Sequence, residues 1–446
     1  MNLEFEINKD KKIYIQIYEK IKNDIISSLL KKDDKLPSKR KYATILNVSI
    51  NSVQSAYNIL LEEGYIYSKY KKGYFVNNIF FKEKKDINIQ KEIKILEKPI
   101  YDLTTSNILD LEISKNIINK IARNILTDGN YFQRVDSFGY LKLKEAISKL
   151  LYDQKDIIAH PNQIIISNSS NNLIKMIIEL LNIKKIAVET PGYYNPKSLF
   201  IDCDYINVDK QGFSAKEFEN SSAKIGLITS FSEFPLGIKM PLERKLELVN
   251  ILNNKNKIII EDSFDSSFRN NGYQTTPLFN MSDKVIYLES FSRTIYPGLC
   301  ISFMVLPNWL INDFYNHFKD ISSSISTFDQ QLATEYIDKG YYTRHINKLR
   351  TSFLNRKKLI EKNLDNDLFE IYSDLNYSSI LVKIKKDINI QLFKKELEKE
   401  KIKINFLSNF CKTNMYDNIL IIGFSNINET NLIIALEKIK KILRKI

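Results

Sequence analysis

Six short apolar runs through the middle of this chain constrain its fold more than any other feature. They are Gln163–Ser167, Lys185–Val188, Ile225–Thr229, Lys257–Glu261, Val285–Glu289 and Ile301–Leu306. Each is of strand length, and helical patterns separate many of them. Strands buried on both faces read as near-continuous apolar runs, because neither face is left to water. Strands alternating with helices therefore predict an α/β domain from about Ile100, with a mainly parallel sheet flanked by helices. The last stretch, Asp374–Ile446, reads as a smaller α+β subdomain ending in the helix Glu429–Arg444. No internal repeat or low-complexity tract is visible.

The first 77 residues follow a different rule. Tyr14, Ile17, Ile21, Ile25 and Leu29 recur at helical spacing, so a first helix has one apolar face. The segment Lys31–Pro37 breaks it. Ser38 is placed to cap a second helix running to about Leu46, and Ser49 a third from about Ile50 to Gly64. Two β-prone runs, Tyr65–Ser68 and Tyr74–Val76, flank Lys69-Tyr70-Lys71-Lys72-Gly73. Three helices followed by a two-stranded wing is the order of a winged helix-turn-helix. Residues 78–99 are charged and without an evident fold, and read as a linker to a domain of residues 100–446.

At 446 residues the chain is long enough for two or three domains. No run approaches the roughly 18 apolar residues a membrane helix needs. The start Met1-Asn2-Leu3-Glu4-Phe5-Glu6 lacks the basic and apolar regions of a signal peptide, so a cytoplasmic protein is expected. Cys203, Cys300 and Cys411 lie far apart, as do His160, His317 and His345, so neither a metal site nor a disulfide framework is expected. The net charge of +13 suits a nucleic-acid partner. A composition crowded with Ile, Lys, Asn and Tyr also produces such a charge, so its placement matters more than its sum.

Asp34-Lys35-Leu36-Pro37-Ser38-Lys39-Arg40, Val48–Val53, Leu61–Tyr65 and Lys72–Val76 occur in an order and spacing that resembles the GntR family of winged-helix regulators. The resemblance implies binding to double-stranded DNA. Ser38 and Ser49 then place helix N-termini toward phosphates. Asn51, Ser52 and Gln54 begin the recognition helix, where side chains reach base edges. Lys69, Lys71, Lys72 and Gly73 form a basic wing tip, or else a solvated hairpin tip. Arg40 matches a family position that contacts DNA. Ile50 departs, since relatives usually carry a basic residue there.

The larger part resembles the fold-type I aminotransferases, and with such a head it resembles the MocR-type regulators. The landmarks are Asp136–Gly139, Ser167–Asn171, Pro191–Tyr193, Phe234–Gly237, Glu261–Asp265, Ser290–Thr294 and Pro297–Leu299. The resemblance implies a homodimer that uses pyridoxal phosphate (PLP) as a ligand for sensing. The matching positions have changed, however. The lysine that follows Ser292 and forms the PLP Schiff base is here Arg293. A guanidinium, with a pKa above about 12, is never the neutral nucleophile an imine needs. The tyrosine that hydrogen-bonds the PLP phenolate is Phe264, the arginine after Pro-Gly-Leu is Cys300, and the late carboxylate-gripping arginine is Ile421. A tyrosine two before Asp136 is Arg134, and the polar pair before Phe234 is Ser232-Glu233, which adds a negative charge.

Other positions persist. Asp262 stands where an acid pairs with the PLP pyridinium, and Tyr193 where an aromatic ring stacks on it. Ser167, Ser169, Ser170 and Asn171 can still receive a phosphate at a helix N-terminus. Plainer readings stand beside these: a satisfied buried carboxylate, a core tyrosine and a helix cap. Three functions compete: a pseudo-aminotransferase regulator without covalent cofactor, whose body is either a repurposed pocket, suited to a small anionic effector, or a dimer interface; a regulator binding PLP non-covalently; and an active aminotransferase, which Arg293 disfavours. In the first, Arg293 is expected to fill cofactor space and pair with Asp262, or failing that with Glu233.

Overall fold

A computed structural model describes residues 5–8, 10–78, 99–105, 114–193, 196–199, 201–268, 276–373, 375, 377–412 and 416–446. The expected linker, residues 78–99, lies outside the described residues except at its two ends. The chain divides into two compact units, Met1–Leu96 and Glu97–Ile446. No helix of the described residues is long and apolar enough to cross a membrane.

In the first unit, helices α1 (Ile13–Ile26), α2 (Lys39–Leu46) and α3 (Ile50–Glu62) precede the antiparallel pair β1 (Ile66–Lys69) and β2 (Gly73–Val76). Ile17, Ile21, Tyr42, Val53, Tyr57, Leu60, Ile66 and Val76 share one core. Tyr57 is fully buried and donates its hydroxyl to Pro37 O at 2.9 Å, which removes the cost of burying that oxygen. Leu29 does not extend the apolar face of α1. The helix ends at Ile26, Ser28 takes a left-handed conformation, and Leu29 is 72% exposed while Leu30 enters the core.

The second unit is built on an eight-stranded sheet. Its strands, with the short β3 (Tyr101–Asp102) before them, are β4 (Ile164–Ser167), β5 (Lys185–Thr190), β6 (Asp202–Asp209), β7 (Gly212–Phe213), β8 (Ile225–Ile228), β9 (Ile258–Asp262), β10 (Val285–Ser290) and β11 (Ser302–Val305). Their order is β4-β11-β10-β9-β8-β5-β6-β7. Neighbours from β10 through β6 pair in parallel, whereas β11 is antiparallel to both β10 and β4, and β7 to β6. All six runs seen in the sequence are strands. The unforeseen β6 is partly exposed and polar, so it carries no apolar run.

Both faces of the sheet are covered. Ile164 and Ile166 pack in the cluster of the helix Leu141–Lys155, while Ile165 between them packs with the helix Ser170–Leu180. This alternation follows from successive strand side chains pointing to opposite faces. The small subdomain is an antiparallel sheet in the order β12 (Phe369–Ser373), β13 (Ser379–Ile384), β16 (Ile419–Gly423) and β15 (Asn405–Phe406). Its first strand thus starts before the expected residue 374. The remaining strand, β14 (Ile402–Lys403), pairs in parallel with β3, tying the start of the unit to its end.

Candidate nucleic-acid interface and body cavity

The caps of the head form as the local chemistry dictates. Ser38 Oγ accepts from Lys41 N at 3.3 Å, and Ser49 Oγ accepts from Ser52 N at 3.1 Å. Ser49 Oγ also shares a hydrogen bond with Ser52 Oγ at 2.9 Å. Arg40, Asn51, Lys69, Lys71 and Lys72 are exposed, and Ser52 and Gln54 are partly so. The wing turns through a Lys72 N–Lys69 O hydrogen bond of 2.9 Å. Gly73 sits at φ +107°, a conformation that L side chains rarely adopt. Lys69 Nζ lies 5.3 and 5.0 Å from the centroids of the Tyr67 and Phe75 rings, and Lys71 Nζ lies 5.2 Å from that of Tyr70. Between α2 and α3, Lys39 Nζ donates to Gln54 Oε1 and lies 5.4 Å from the centre of Tyr74.

In the body, a cavity of about 610 Å³ opens where the C-terminal ends of β9 and β10 meet the N-terminus of the helix Ser170–Leu180. Ser169, Ser170, Tyr193, Asp262, Phe264, Ser292, Arg293 and Cys300 all line it. Ser169 Oγ caps the helix through Asn172 N at 3.2 Å. Ser170 Oγ lies 3.4 Å from Ser302 Oγ, and Ser290 Oγ 3.3 Å from Ser292 Oγ. The polar groups at this helix end are hydroxyls and amides. Cys300, in a left-handed conformation at φ +48°, supplies no cation for a phosphate. Among the described residues, no lysine lines the cavity.

Arg293 pairs with Asp265, a residue the sequence reading did not single out, rather than with Asp262 or Glu233. Its Nε lies 3.0 Å from Asp265 Oδ1, and its Nη2 lies 3.3 Å from Oδ2. Nη2 is also 3.3 Å from Ser378 Oγ, and Nη1 donates to Thr105 O. Ser378 in turn donates to Asp265 Oδ2 at 2.7 Å. The guanidinium carbon stands 4.5 Å from the centre of the Phe264 ring, a stacking that suits a flat, weakly hydrated cation. On that ring also packs Tyr193, with centroids 4.9 Å apart and planes tilted by 30°.

Glu233 does not line the cavity. It is 1% exposed, and its Oε2 accepts from Leu236 N at 2.9 Å. Burial first, and the neighbouring Glu189 second, push its carboxyl well above the usual range. Burial likewise pushes Glu189 up to about 7, against two Thr229 donors that pull it down. Ile421 is a core residue of β16, and Arg134 is exposed and outside the cavity lining.

A second ion pair lies behind the cavity wall. Lys155 Nζ lies 2.8 Å from Glu289 Oε2, with both side chains over nine-tenths buried. It also contacts Ser263 Oγ and Ser266 Oγ at 2.8 Å and Tyr287 OH at 2.6 Å. Sequence reasoning passed over this cluster. The available signal was a glutamate inside an apolar strand, since such a residue stays buried only with a partner.

Residues 13–76 match the family model described as bacterial regulatory proteins, gntR family. The chain is 25% identical over 447 residues to the HTH-type transcriptional regulator YdeL of Bacillus subtilis (strain 168), covering 96% of each chain. It is 24% identical to the probable rhizopine catabolism regulatory protein MocR of Rhizobium meliloti, covering 78% of this chain and 76% of that one. The fold is similar to that of an archaeal alanine:glyoxylate aminotransferase, with a TM-score of 0.69 at 17% identity, over 77% of this chain and 91% of the other. A GntR-type winged helix-turn-helix followed by a body of the fold-type I aminotransferase fold is the MocR-type arrangement, and the chain is a regulator of that type.

Proposed function

We propose that the chain is a DNA-binding transcription regulator whose body has lost Schiff-base chemistry and serves to dimerise the protein and sense a small effector. The observation that carries this reading is the engagement of Arg293. A side chain that is permanently charged, stacked on Phe264 and paired with Asp265 offers no amine to an aldehyde. Phe264 brings no hydroxyl to a PLP phenolate, and Cys300 brings no charge to its phosphate. The residues present therefore do not fit PLP held as an internal Schiff base. The cavity of about 610 Å³ is within the usual size of small-molecule sites, about 300–1,000 Å³. Its hydroxyls and helix N-terminus suit a small anionic effector. The capped α3 and the basic wing support DNA binding by the head.

Adding PLP to the purified protein, reducing with borohydride and mapping peptides tests the loss of chemistry. The expected outcome is no stoichiometric pyridoxyl adduct on any cavity residue; one such adduct defeats the proposal. Non-covalent PLP is the second reading, favoured by Asp262 and the serines at the helix end. Ligand found in native mass spectra but lost on denaturation supports it. Dimerisation is tested by sedimentation: the full chain and a truncation to residues 100–446 should both be dimers at micromolar concentration. A monomeric body would remove that role.

A further inference from the structure

Helix α3 contains no lysine or arginine anywhere from Ile50 to Glu62. It buries Val53, Ala56, Tyr57 and Leu60, and turns a different set outward. Ile50, at the first turn, is 48% exposed. Asn51 and Asn58 are exposed and Gln54 partly so, which puts three carboxamides at positions i, i+3 and i+7 along one face. Gln54 Nε2 donates to Asn58 Oδ1 at 3.0 Å, and Lys39 holds Gln54 Oε1. Lys39 of α2 is thereby engaged by this amide and by the Tyr74 ring. The carboxamide of Asn51 makes no hydrogen bond among the described residues. Arg40 is the single arginine of residues 1–96.

Base edges in the major groove are chemically distinct. Guanine O6 and N7 are two acceptors, read by guanidinium or ammonium groups. Adenine N6 and N7 are a donor and an acceptor, matched by a carboxamide. The thymine methyl is met by apolar groups. A recognition helix that shows an isoleucine and amides and no cation is built for the last two. We propose that α3 reads A·T pairs, with Ile50 on a thymine methyl, Asn51 on an adenine, and at most one guanine per half-site, taken by Arg40. This rests on the reading of the head as DNA-binding, and it commits that reading to one base chemistry.

The test selects duplexes from a random library with the full-length protein. The selected site is then resynthesised with deoxyuridine in place of single thymines, which removes only the methyl group. Selection should enrich A·T at adjacent positions of each half-site. One thymine-to-uracil change should weaken binding about fourfold, the value of burying one methyl group. Ile50→Ala, at an exposed position, should bind thymine and uracil duplexes alike. Asn51→Ala should lose on the order of tenfold on the selected site and little on a duplex altered at the paired adenine. Enrichment of several G·C pairs, binding without base preference, or a thymine–uracil difference that survives Ile50→Ala overturns the inference and leaves the DNA-binding reading standing. The last result separates groove-shape recognition from contact with the methyl. Absence of salt-dependent binding to any duplex overturns the DNA-binding reading itself, and the inference with it.

Discussion

Arg293 Nε stands 3.0 Å from Asp265 Oδ1 and Nη2 donates to Oδ2 at 3.3 Å, while the guanidinium lies 4.5 Å from the centre of the Phe264 ring. Asp265 is 5% exposed and Arg293 17%, which leaves the pair little water. Breaking such a pair from one side strands a buried charge, at about 3–5 kcal/mol. Arg293→Ala should therefore lower the denaturant midpoint of the body, and Arg293→Ala with Asp265→Ala should lower it less than the sum of the two single effects. Arg293→Lys should not restore a PLP Schiff base, because Phe264 and Cys300 remain. Denaturation curves and absorbance spectra of the variants check both statements.

The Lys155–Glu289 pair makes a parallel prediction at a deeper place. Glu289→Ala removes the carboxylate that Lys155 meets at 2.8 Å and leaves its ammonium among Ser263, Ser266 and Tyr287. The expected loss is again about 3–5 kcal/mol. Lys155→Met with Glu289→Leu removes both charges and should recover much of it. A double variant no more stable than the worse single one would show that the hydroxyl groups, not the ion pair, hold this wall.

Glu189 supplies a pH dependence. Its folded carboxyl titrates at about 7 against an ordinary 4.5, because burial disfavours the ionised form. The folded state then binds more protons than the unfolded state between those two values. The stability that Glu189 contributes falls as pH rises from about 4.5 to about 7 and levels off above. The buried Glu233 is raised too and acts in the same direction. Glu189→Gln should flatten the decline; midpoints measured from pH 4.5 to 8 read it.

The wing makes an electrostatic prediction. Lys71→Ala with Lys72→Ala should weaken binding to every duplex and reduce the slope of log affinity against log salt by about two, one for each DNA phosphate that no longer meets an ammonium group. An unchanged slope would remove the wing tip from the interface.

Much of the head was legible in the sequence because its rules are local. A serine three residues before the amide it caps and a 3.6-residue apolar period each act within one turn of chain. The parallel strands were legible for a related reason: burial on both faces leaves the apolar runs Ile164–Ser167 and Ile258–Asp262 no polar alternation. That position 293 carries a permanent cation was legible as well, since a guanidinium stays charged in any fold. What that arginine does instead was not. Its partners Asp265, Ser378 and Thr105 lie 28, 85 and 188 positions away in the chain. The choice of Asp265 over Asp262 depends on how the loop after β9 turns, and Lys155 reaches Glu289 across 134 positions. Composition and period say that a buried charge requires a partner. Only the packing of helices and loops against the sheet decides which residue arrives within 3 Å of it.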